Sequence, residues 1–241
     1  MNNAAKRLIS PFARVYENYI ANRFHNLYYN GRYGDPKIFK RTTWMGVPCS
    51  KCPLDLWIYQ EIVNELKPDL IIETGTYMGG SALFLAQMLD YIGKGAVVTI
   101  DIEDNPKAHR GTRLNLDSVG GLRPQHPRIE YISGSSTDPE LLEDIARRYK
   151  RDTCMVLLDS DHSEAHVTRE IGLLSSFVSL GSYMIVEDTN INGHPTFRRF
   201  GPGPYEAVQK FLRQSDEFEV DKTREKFLLT FNPMGFLKRV R

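Results

Sequence analysis

Two groups of acidic residues, each directly after an apolar segment, are the residues of this sequence most suited to chemistry. LLDSDHSEAH (157–166) contains Asp159, Asp161 and His162, and SYMIVED (182–188) ends in Glu187 and Asp188. A solvated turn whose aspartate caps a helix would explain the first group alone. Four carboxylates gathered at neighbouring segments repel one another unless a cation neutralises them. All-oxygen ligand sets suit Mg²⁺, Mn²⁺ or Ca²⁺ better than zinc, so the two groups predict a divalent-metal site.

His162 is the candidate catalytic base of this site. Beside a divalent ion, an imidazole can take a proton from a hydroxyl group near neutral pH. His166 follows one helical turn later, the spacing of a zinc-binding pair, but a metalloprotease motif would have glutamate directly after the first histidine, and here Glu164 is out of place. We therefore expect His162 to be catalytic and His166 to be structural.

The segment ETGTYMGGS (73–81) indicates a ligand-binding loop. Gly75, Gly79 and Gly80 allow the backbone to pass close to a ligand at the start of a helix. Their order matches neither the GxGxxG dinucleotide pattern nor a P-loop, which requires a lysine. Asp101 lies 26 positions beyond Gly75, where a carboxylate can accept both hydroxyls of a ribose, although capping of the next helix is an equal alternative.

The elements that must position these residues alternate between strands and helices. Short apolar runs predict strands, and runs with helical periodicity predict helices between them. The predicted strands are 70–75, 97–102, 128–134, 154–160 and 182–188, and the predicted helices are 55–66, 81–93, 139–150 and 162–178. This order predicts an α/β fold with a doubly wound, mostly parallel sheet covered on both faces. Each strand ends in acidic, glycine or hydroxyl residues, Glu103 among them, at the edge where such sheets bind ligands.

The two ends of the chain differ from this pattern. FEVDK (218–222) and KFLLTF (226–231) predict a C-terminal antiparallel hairpin added to the sheet. The Gly- and Pro-rich stretch 193–208 predicts a functional loop. Residues 1–44 form a basic, aromatic arm with a helical extension, which either lines a ligand pocket or packs on the core or a partner subunit, and 45–241 form the main domain. The arm carries the basic residues Lys6, Arg7, Arg14, Arg23, Arg32, Lys37, Lys40 and Arg41, the acids Glu17 and Asp35, and nine aromatic residues, Phe12 and Tyr33 among them.

Composition bounds the class of protein. The 241 residues are 41% hydrophobic and 25% charged, with a formal net charge of +1, so the overall charge gives no sign of a nucleic-acid coat. Cys49, Cys52 and Cys154 form no disulfide framework, and the lone CxxC pair lacks the second pair of a structural zinc site. No apolar run approaches the ~20 residues of a membrane span, and the polar start MNNAAKR lacks the apolar core of a secretory signal. We expect a cytoplasmic protein without nucleic-acid or membrane partners.

Together these motifs resemble the class I methyltransferases that use S-adenosylmethionine, especially the metal-dependent catechol O-methyltransferase type. Asp159 and Glu187 are 28 positions apart, as in that type, and 75–81 follow its loop order G-x-Y-x-G-x-S. A closer resemblance is to the cephalosporin hydroxylase and rhamnosyl O-methyltransferase family. It extends over about 44–231 and is most specific in KCPLDLWIYQEIV, LLDSDHS, VEDTNINGHP and GPGPYEAV.

The resemblance implies a Rossmann-like methyltransferase sheet, S-adenosylmethionine and Mg²⁺ or another divalent cation as cofactors, and a hydroxylated small molecule as acceptor. It implies that Glu73, Gly75 and Tyr77 hold the methionine part, that Asp101 holds the ribose and that Ser136 lies by the adenine, with Ser81 and Asp159 also in the cofactor site. The catechol type implies Asp159, Glu187 and Asp188 as metal ligands, whereas the cephalosporin enzymes imply Asp161 with the same acid pair. A substrate hydroxyl beside the metal would lose its proton to His162 and attack the sulfonium methyl group in line. A homo-oligomer is also expected.

Two alternatives remain open. The family name suggests Fe(II)-dependent hydroxylation, but that chemistry is typically supported by two histidines and one carboxylate, and here the acids outnumber the histidines. A nucleotide- or RNA-binding module using the basic arm is the other. Acids at the pocket mouth would repel phosphates, and no stacking motif interrupts the strands.

Overall fold

The computed structural model describes residues 3–31, 38–102, 123–149 and 152–241, with side chains from residue 13 onward. Predicted features outside this part are Glu103, Arg32, Tyr33, Asp35, Lys37 and the side chains of Lys6, Arg7 and Phe12. The described strands are β1 (Thr43–Trp44), β2 (Val47–Pro48), β3 (Leu70–Thr74), β4 (Ala96–Asp101), β5 (Ile129–Ser133), β6 (Cys154–Leu158), β7 (Tyr183–Val186), β8 (Phe218–Val220) and β9 (Phe236–Arg239). The described α-helices are α1 (Asn3–Asn30), α2 (Pro53–Leu66), α3 (Gly80–Ile92), α4 (Pro139–Arg148), α5 (Glu164–Leu174) and α6 (Pro204–Gln214).

Seven of these strands form one sheet in the order β5-β4-β3-β6-β7-β9-β8. The first five are parallel to one another, whereas β9 is antiparallel to both β7 and β8. The chain therefore leaves the central strand β3 in one direction toward β5 and returns to its other side at β6. Ligands bind in the crevice at such a reversal of strand order, beyond the carboxyl ends of the strands. The predicted α/β doubly wound, Rossmann-like sheet is confirmed.

The central strands β3, β4, β6 and β7 are almost completely buried and mainly apolar because helices cover both faces of the sheet. Side chains alternate between faces along a strand, so Leu70 and Ile72 pack into one core while Ile71 packs into the other. The first core includes residues of α4, α5 and α6, and the second includes residues of α2 and α3. This double burial explains why the strands have the continuous apolar pattern of a parallel sheet.

Helix boundaries decide which site residues remain in turns. The predicted helix at 162–178 begins only at Glu164, because the Ser163 side chain caps it by accepting a hydrogen bond from the His166 amide. It ends at Leu174 and is followed by a 3₁₀ turn, Ser175–Phe177. His162 therefore lies in the turn between β6 and α5, where its side chain can face the sheet edge.

The C-terminal hairpin is present, but the prediction of its second strand was wrong. β8 pairs with β9, whereas 226–231 form no strand. The Phe231 amide donates instead to the Asp55 carboxylate at 2.8 Å, and the Phe231 carbonyl accepts from Asn190. Leu229 and Phe231 are apolar because they pack in a third cluster, which includes Tyr29.

This third cluster attaches the end of α1 to the body of the protein. The Phe231 ring lies 5.3 Å from that of Tyr29 and 5.2 Å from that of Phe39, and it stacks on His25 at 5.7 Å. The predicted domain boundary at 44/45 falls in the turn between β1 and β2 and stays a prediction. No helix in the described part of the chain is long and apolar enough to cross a membrane.

Candidate active site

Three side chains meet where β6 and β7 end. One ligand atom each from Asp159, His162 and Asp188 lie within 4.8 Å of one another. The parallel register pairs Leu158 with Val186, the last residues of the two strands, so the residues that follow leave the sheet side by side. Two carboxylates and an imidazole at this separation are able to surround a single divalent ion.

The backbone after β7 is fixed in an uncommon conformation that directs Asp188 to this group. Asp188 has a φ of +52°, and its amide donates to Oδ1 of Asn232 at 3.2 Å. Asn232 is held in turn by Tyr59, whose hydroxyl accepts from Nδ2 of Asn232 at 2.7 Å. Non-glycine residues rarely adopt positive φ, and when they do the strain is often found at functional sites.

His162 interacts electrostatically with the carboxyl groups around it. Its Nε2 lies 3.0 Å from Oδ2 of Asp188. Burial alone would lower the pKa of His162, but the hydrogen bond and charge of Asp188, together with Asp159 and Glu187, raise it to about 9. In this arrangement the imidazole holds its proton at neutral pH.

Lys51, which no sequence motif marked, is also part of this site. Its Nζ lies 2.5 Å from Oδ2 of Asp159 and 2.7 Å from Oε1 of Glu187, and only 5% of the side chain is exposed. Burial alone would lower the pKa of Lys51, but Asp159, Glu187 and Glu73 raise it well above its ordinary value. Lys51 therefore supplies part of the positive charge that the clustered carboxyl groups require.

Carboxyl groups still outnumber the possible cationic side chains here. Burial raises the pKa of Asp159 and of Glu187, and neighbouring acids raise both further despite the attraction of Lys51. Glu73, Asp159, Glu187 and Asp188 face two possible cationic side chains, Lys51 and His162. A further positive charge at this edge would be stabilised.

The structure separates Asp161 from the three-residue group. Its side chain is exposed, and its Oδ1 accepts the Ser163 amide at 2.7 Å. Hydrogen bonds from the Ser163 side chain and from the Ser163 amide lower the pKa of Asp161. Of the two predicted aspartates, Asp159 is the one that lies with His162 and Asp188.

Gly75 lies where the loop after β3, the predicted cofactor-binding loop, contacts the turn that contains Asp159. Its φ is +84°, and a Cβ placed on it would lie 1.9 Å from the Asp159 carbonyl oxygen. The Gly75 amide donates to Ile100 at 2.9 Å. Glycine is required here by both the backbone conformation and the space, so the loop after β3 and the turn after β6 form one surface.

The predicted ribose-binding carboxylate of Asp101 lies at the end of β4, against this loop. Oδ2 of Asp101 accepts the Tyr77 amide at 2.8 Å and lies 3.4 Å from Nη2 of Arg123. Arg123 also donates to the Tyr77 carbonyl at 3.1 Å. No sequence motif marked Arg123, because the segment before it has no strong pattern.

Glu73 lies under the same loop and is fully buried. Its Oε2 accepts from the Thr99 hydroxyl at 2.8 Å, while Oε1 has no hydrogen-bond partner among the described residues. Burial raises the pKa of Glu73. The charge of Lys51 and hydrogen bonds from Ser81 and Thr99 partly oppose this increase. Ser81 is in the first turn of α3 and is also buried.

Ser136, the predicted adenine neighbour, belongs to a hydrogen-bonded group beside this surface. Its Oγ lies 3.3 Å from Nε2 of His166, which is 3.0 Å from Oγ of Ser160. Ser160 donates to the buried carboxylate of Glu170 at 2.7 Å. His166 thus lies in this hydrogen-bonded group, and its structural role stays a prediction.

The Gly- and Pro-rich loop, which was predicted to be functional, lies next to the group of Asp159, His162 and Asp188. The Glu164 amide donates to the Pro202 carbonyl at 3.2 Å, and a Cβ on Gly203 would lie 3.2 Å from the His162 carbonyl oxygen. Phe197 and Phe200 are exposed, with their ring centroids 5.5 Å apart. The loop thus extends exposed aromatic rings from the immediate neighbourhood of His162.

The cysteines have the properties of core residues. All three are buried and reduced. Burial raises the pKa of Cys49 to about 12, and it also raises that of Cys52. Thiols with raised pKa values are poor nucleophiles at neutral pH, which disfavours a redox role for the CxxC pair.

The donor set fits both groups implied by the resemblance. Oxygen donors with one imidazole suit Mg²⁺ or Mn²⁺. The excess of carboxylates also suits a sulfonium cation, and the orphaned Oε1 of Glu73 is a buried acceptor at the strand end beside the cofactor loop.

Comparisons with known proteins identify relatives over most of the chain. Residues 36–240 match the family model for rhamnosyl O-methyltransferase/CmcI. The rhamnosyl O-methyltransferase of Mycobacterium leprae is 41% identical over 226 residues, which are 91% of this chain and 90% of the relative. The enzyme of the same name from Mycobacterium tuberculosis is 38% identical over 97% of this chain and 92% of its own. Among solved structures, CmcI in its D160 form with Mg and SAM aligns with a TM-score of 0.60 at 18% identity, over 84% of this chain and 78% of that one.

Proposed function

This chain belongs to the rhamnosyl O-methyltransferase/CmcI family and is an S-adenosylmethionine-dependent O-methyltransferase; we propose that it also requires a divalent metal ion and that its acceptor is a hydroxyl group of a rhamnosyl or related sugar. The observation that carries the metal dependence is the meeting of Asp159, His162 and Asp188 within 4.8 Å. The acceptor is inferred from relatives whose names specify rhamnosyl groups.

Asp159 and Asp188 would hold the ion, with Glu187 beside them. A bound divalent ion lowers the pKa of a nearby hydroxyl and fixes its direction. Asp159 follows the strand that contacts the cofactor loop at Gly75, so the same turn faces both the ion and the cofactor. This arrangement would bring the acceptor oxygen and the methyl donor together, and such positioning contributes much of the rate in group transfer.

His162 would receive the acceptor's proton. Its Nε2 is held at 3.0 Å by Asp188, which orients the ring at the mouth of the site. In the described structure His162 retains its own proton because the surrounding acids raise its pKa to about 9. Neutralisation of those acids would return the imidazole toward its ordinary pKa of about 6.5, where it can act as a base at neutral pH.

The cofactor would lie across the ends of β3 and β4. The loop at Gly75 and Tyr77 would contact its methionine part, and the Asp101 carboxylate would accept its ribose hydroxyls. Asp101 already accepts a hydrogen bond from the Tyr77 amide and forms an ion pair with Arg123. The loop and this carboxylate are therefore held together. Ser136 would border the adenine.

The acceptor would approach from the side of the Gly- and Pro-rich loop. Phe197 and Phe200 expose aromatic rings there, and the apolar C–H faces of sugars pack well on such rings. Hydroxylation with Fe(II) is less well supported: the group contains one histidine and two carboxylates, whereas the usual ligand triad has two histidines and one carboxylate.

The proposal is tested by incubating the protein with S-adenosylmethionine, Mg²⁺ and a rhamnoside, and analysing the products by mass spectrometry. A mass gain of one methylene unit on the sugar, absent from the corresponding reaction with a rhamnoside whose hydroxyls are all methylated, supports it. A gain of one oxygen instead would support hydroxylation. Methylation of phenolic acceptors but of no sugar would contradict the proposed acceptor class.

A further inference from the structure

Lys51 is held in a short, restrained segment that the proposed function leaves without a role. The segment joins β2 to α2, with Pro48 and Pro53 on either side. The Lys51 amide donates to the Cys49 carbonyl at 2.8 Å, and the Cys49 amide donates to Thr42 at 2.9 Å. A Cβ on Gly80 would lie 2.2 Å from the Pro48 carbonyl, so this segment also packs closely on the start of α3. The backbone that carries Lys51 is therefore fixed against the cofactor loop.

The side chain extends from this segment to two strand ends at once. Its Nζ bonds Oδ2 of Asp159 after β6 and Oε1 of Glu187 after β7. These bonds leave Oδ1 of Asp159 and Oε2 of Glu187 as the second oxygen of each carboxylate. A carboxylate held at one oxygen is fixed in orientation, and the other oxygen is then presented in a defined direction.

Burying the charged pair of Lys51 and Glu187 costs desolvation free energy. The side chains of Lys51 and Glu187 are 5% and 6% exposed. A buried ion pair returns its desolvation cost only when its geometry is good, and an apolar substitute of similar size is often at least as stable. A gain in stability alone is therefore a weak reason for a lysine at this position.

We propose that Lys51 is a positioning residue of the metal site: it bonds one oxygen of the candidate ligand Asp159 and one of the neighbouring Glu187, and so fixes the second oxygen of Asp159 for the ion. This inference rests on the proposed metal dependence. Partners that hold metal ligands in place from behind alter metal affinity by about 10- to 100-fold when they are removed. Lys51 would act through the carboxylates and would touch neither the acceptor nor the methyl group.

If Lys51 served only as a positive charge, its removal would change the metal affinity in the opposite direction. If the ammonium group only took the place of a cation, its removal would leave a more negative site, and the affinity for a divalent ion would rise. If it orients the ligands, its removal would release both carboxylates, and the affinity would fall. The direction of the change therefore separates the two roles.

The test is to measure Mn²⁺ binding by electron paramagnetic resonance of the free ion, without acceptor, for the wild-type protein and Lys51→Met. Lys94→Met is the matched control, because Lys94 forms a pair of 2.7 Å with Asp69 at the opposite end of β3. S-adenosylmethionine affinity by calorimetry and circular dichroism show whether each variant is folded. Lys51→Gln replaces Lys51→Met if the latter does not fold.

We expect Lys51→Met to bind Mn²⁺ at least about tenfold more weakly, with unchanged cofactor affinity, and Lys94→Met to match the wild type. Equal or tighter Mn²⁺ binding by the Lys51 variant would overturn the inference while leaving the proposed function intact. A wild-type protein that binds no Mn²⁺ would overturn both.

Discussion

Nε2 of His162 and Oδ2 of Asp188 lie 3.0 Å apart and so connect the turn after β6 to the turn after β7. The contact joins the candidate base to a candidate metal ligand. It also explains why the pKa of His162 is raised despite burial. The roles of the two residues can be separated, because a base acts on the proton and a ligand acts on the ion.

His162→Gln should lower kcat for methyl transfer by about 10²- to 10⁴-fold, the usual contribution of a general base. Glutamine can still donate a hydrogen bond to Asp188, so the affinities for Mn²⁺ and cofactor should not change. Steady-state kinetics and Mn²⁺ titration measure the two effects. Loss of Mn²⁺ binding in this variant would show that His162 is a ligand instead.

Asp159→Asn should abolish methyl transfer, whereas Asp161→Asn should retain it. Asp159 lies in the group with His162 and Asp188, while Asp161 is exposed and its hydrogen bonds in the described part of the chain come from Ser163. Loss of these local bonds should cost no more than about 1 kcal/mol of unfolding free energy. Activity and urea unfolding of the two variants provide the comparison. The reverse pattern would show that Asp161 is the ligand.

Gly75→Ala should be far more damaging than Gly93→Ala. Both glycines have a φ of +84°, but a Cβ on Gly75 would meet the Asp159 carbonyl at 1.9 Å, whereas a Cβ on Gly93 meets nothing within 4 Å. Both variants incur the strain of positive φ, about 1 kcal/mol, so their difference isolates the clash. We expect Gly75→Ala to lose cofactor binding, measured by calorimetry, and Gly93→Ala to keep it. Equal cofactor affinities would mean that the loop and the turn are not in contact in solution.

Asp55→Asn should change how stability depends on pH. Burial is the largest cause that raises the pKa of Asp55 to about 7 from an ordinary 3.8, and hydrogen bonds from Thr230 and Phe231 only partly oppose it. Because the pKa of Asp55 is higher in the folded state, its contribution to the free energy of unfolding is fully present below pH 3.8. This contribution is lost as the pH rises through about 7. The loss amounts to at most about 4 kcal/mol.

Urea unfolding of the wild type and Asp55→Asn from pH 4 to pH 8 measures this effect. We expect the free energy of unfolding of the variant to rise relative to that of the wild type as the pH increases. Parallel pH profiles would show that Asp55 is ionised in the folded protein. The result bears on the site, because Asp55 anchors the segment in which Asn232 supports Asp188.

The strands and their chemistry-bearing ends were predictable because both depend on local sequence. A buried parallel strand requires an apolar run, and the acids at 159 and 187–188 follow such runs directly. The hairpin error has the same origin. KFLLTF is a short apolar run, whereas the true strand Phe236–Arg239 (FLKR) has only two apolar residues, and periodicity alone cannot tell a strand from a segment that packs in a cluster.

The exact membership of the site was less predictable. Asp159 and Asp161 are two positions apart in one turn, and which of them faces His162 depends on backbone angles that the sequence pattern does not specify. Lys51 reaches Asp159 across 108 positions of chain. The only signal for it was the excess of carboxylates, which required a cation but did not distinguish a lysine from a metal ion.

Metal dependence of the wild-type enzyme tests the central claim most directly. The measurement is the rate of methyl transfer from S-adenosylmethionine to a rhamnoside after removal of metals with excess chelator, and again after Mg²⁺ is restored in excess over the chelator. We predict that transfer stops in the chelator and returns with Mg²⁺, while cofactor binding measured by calorimetry shows that the protein is folded throughout. Full activity in the chelator would contradict the account.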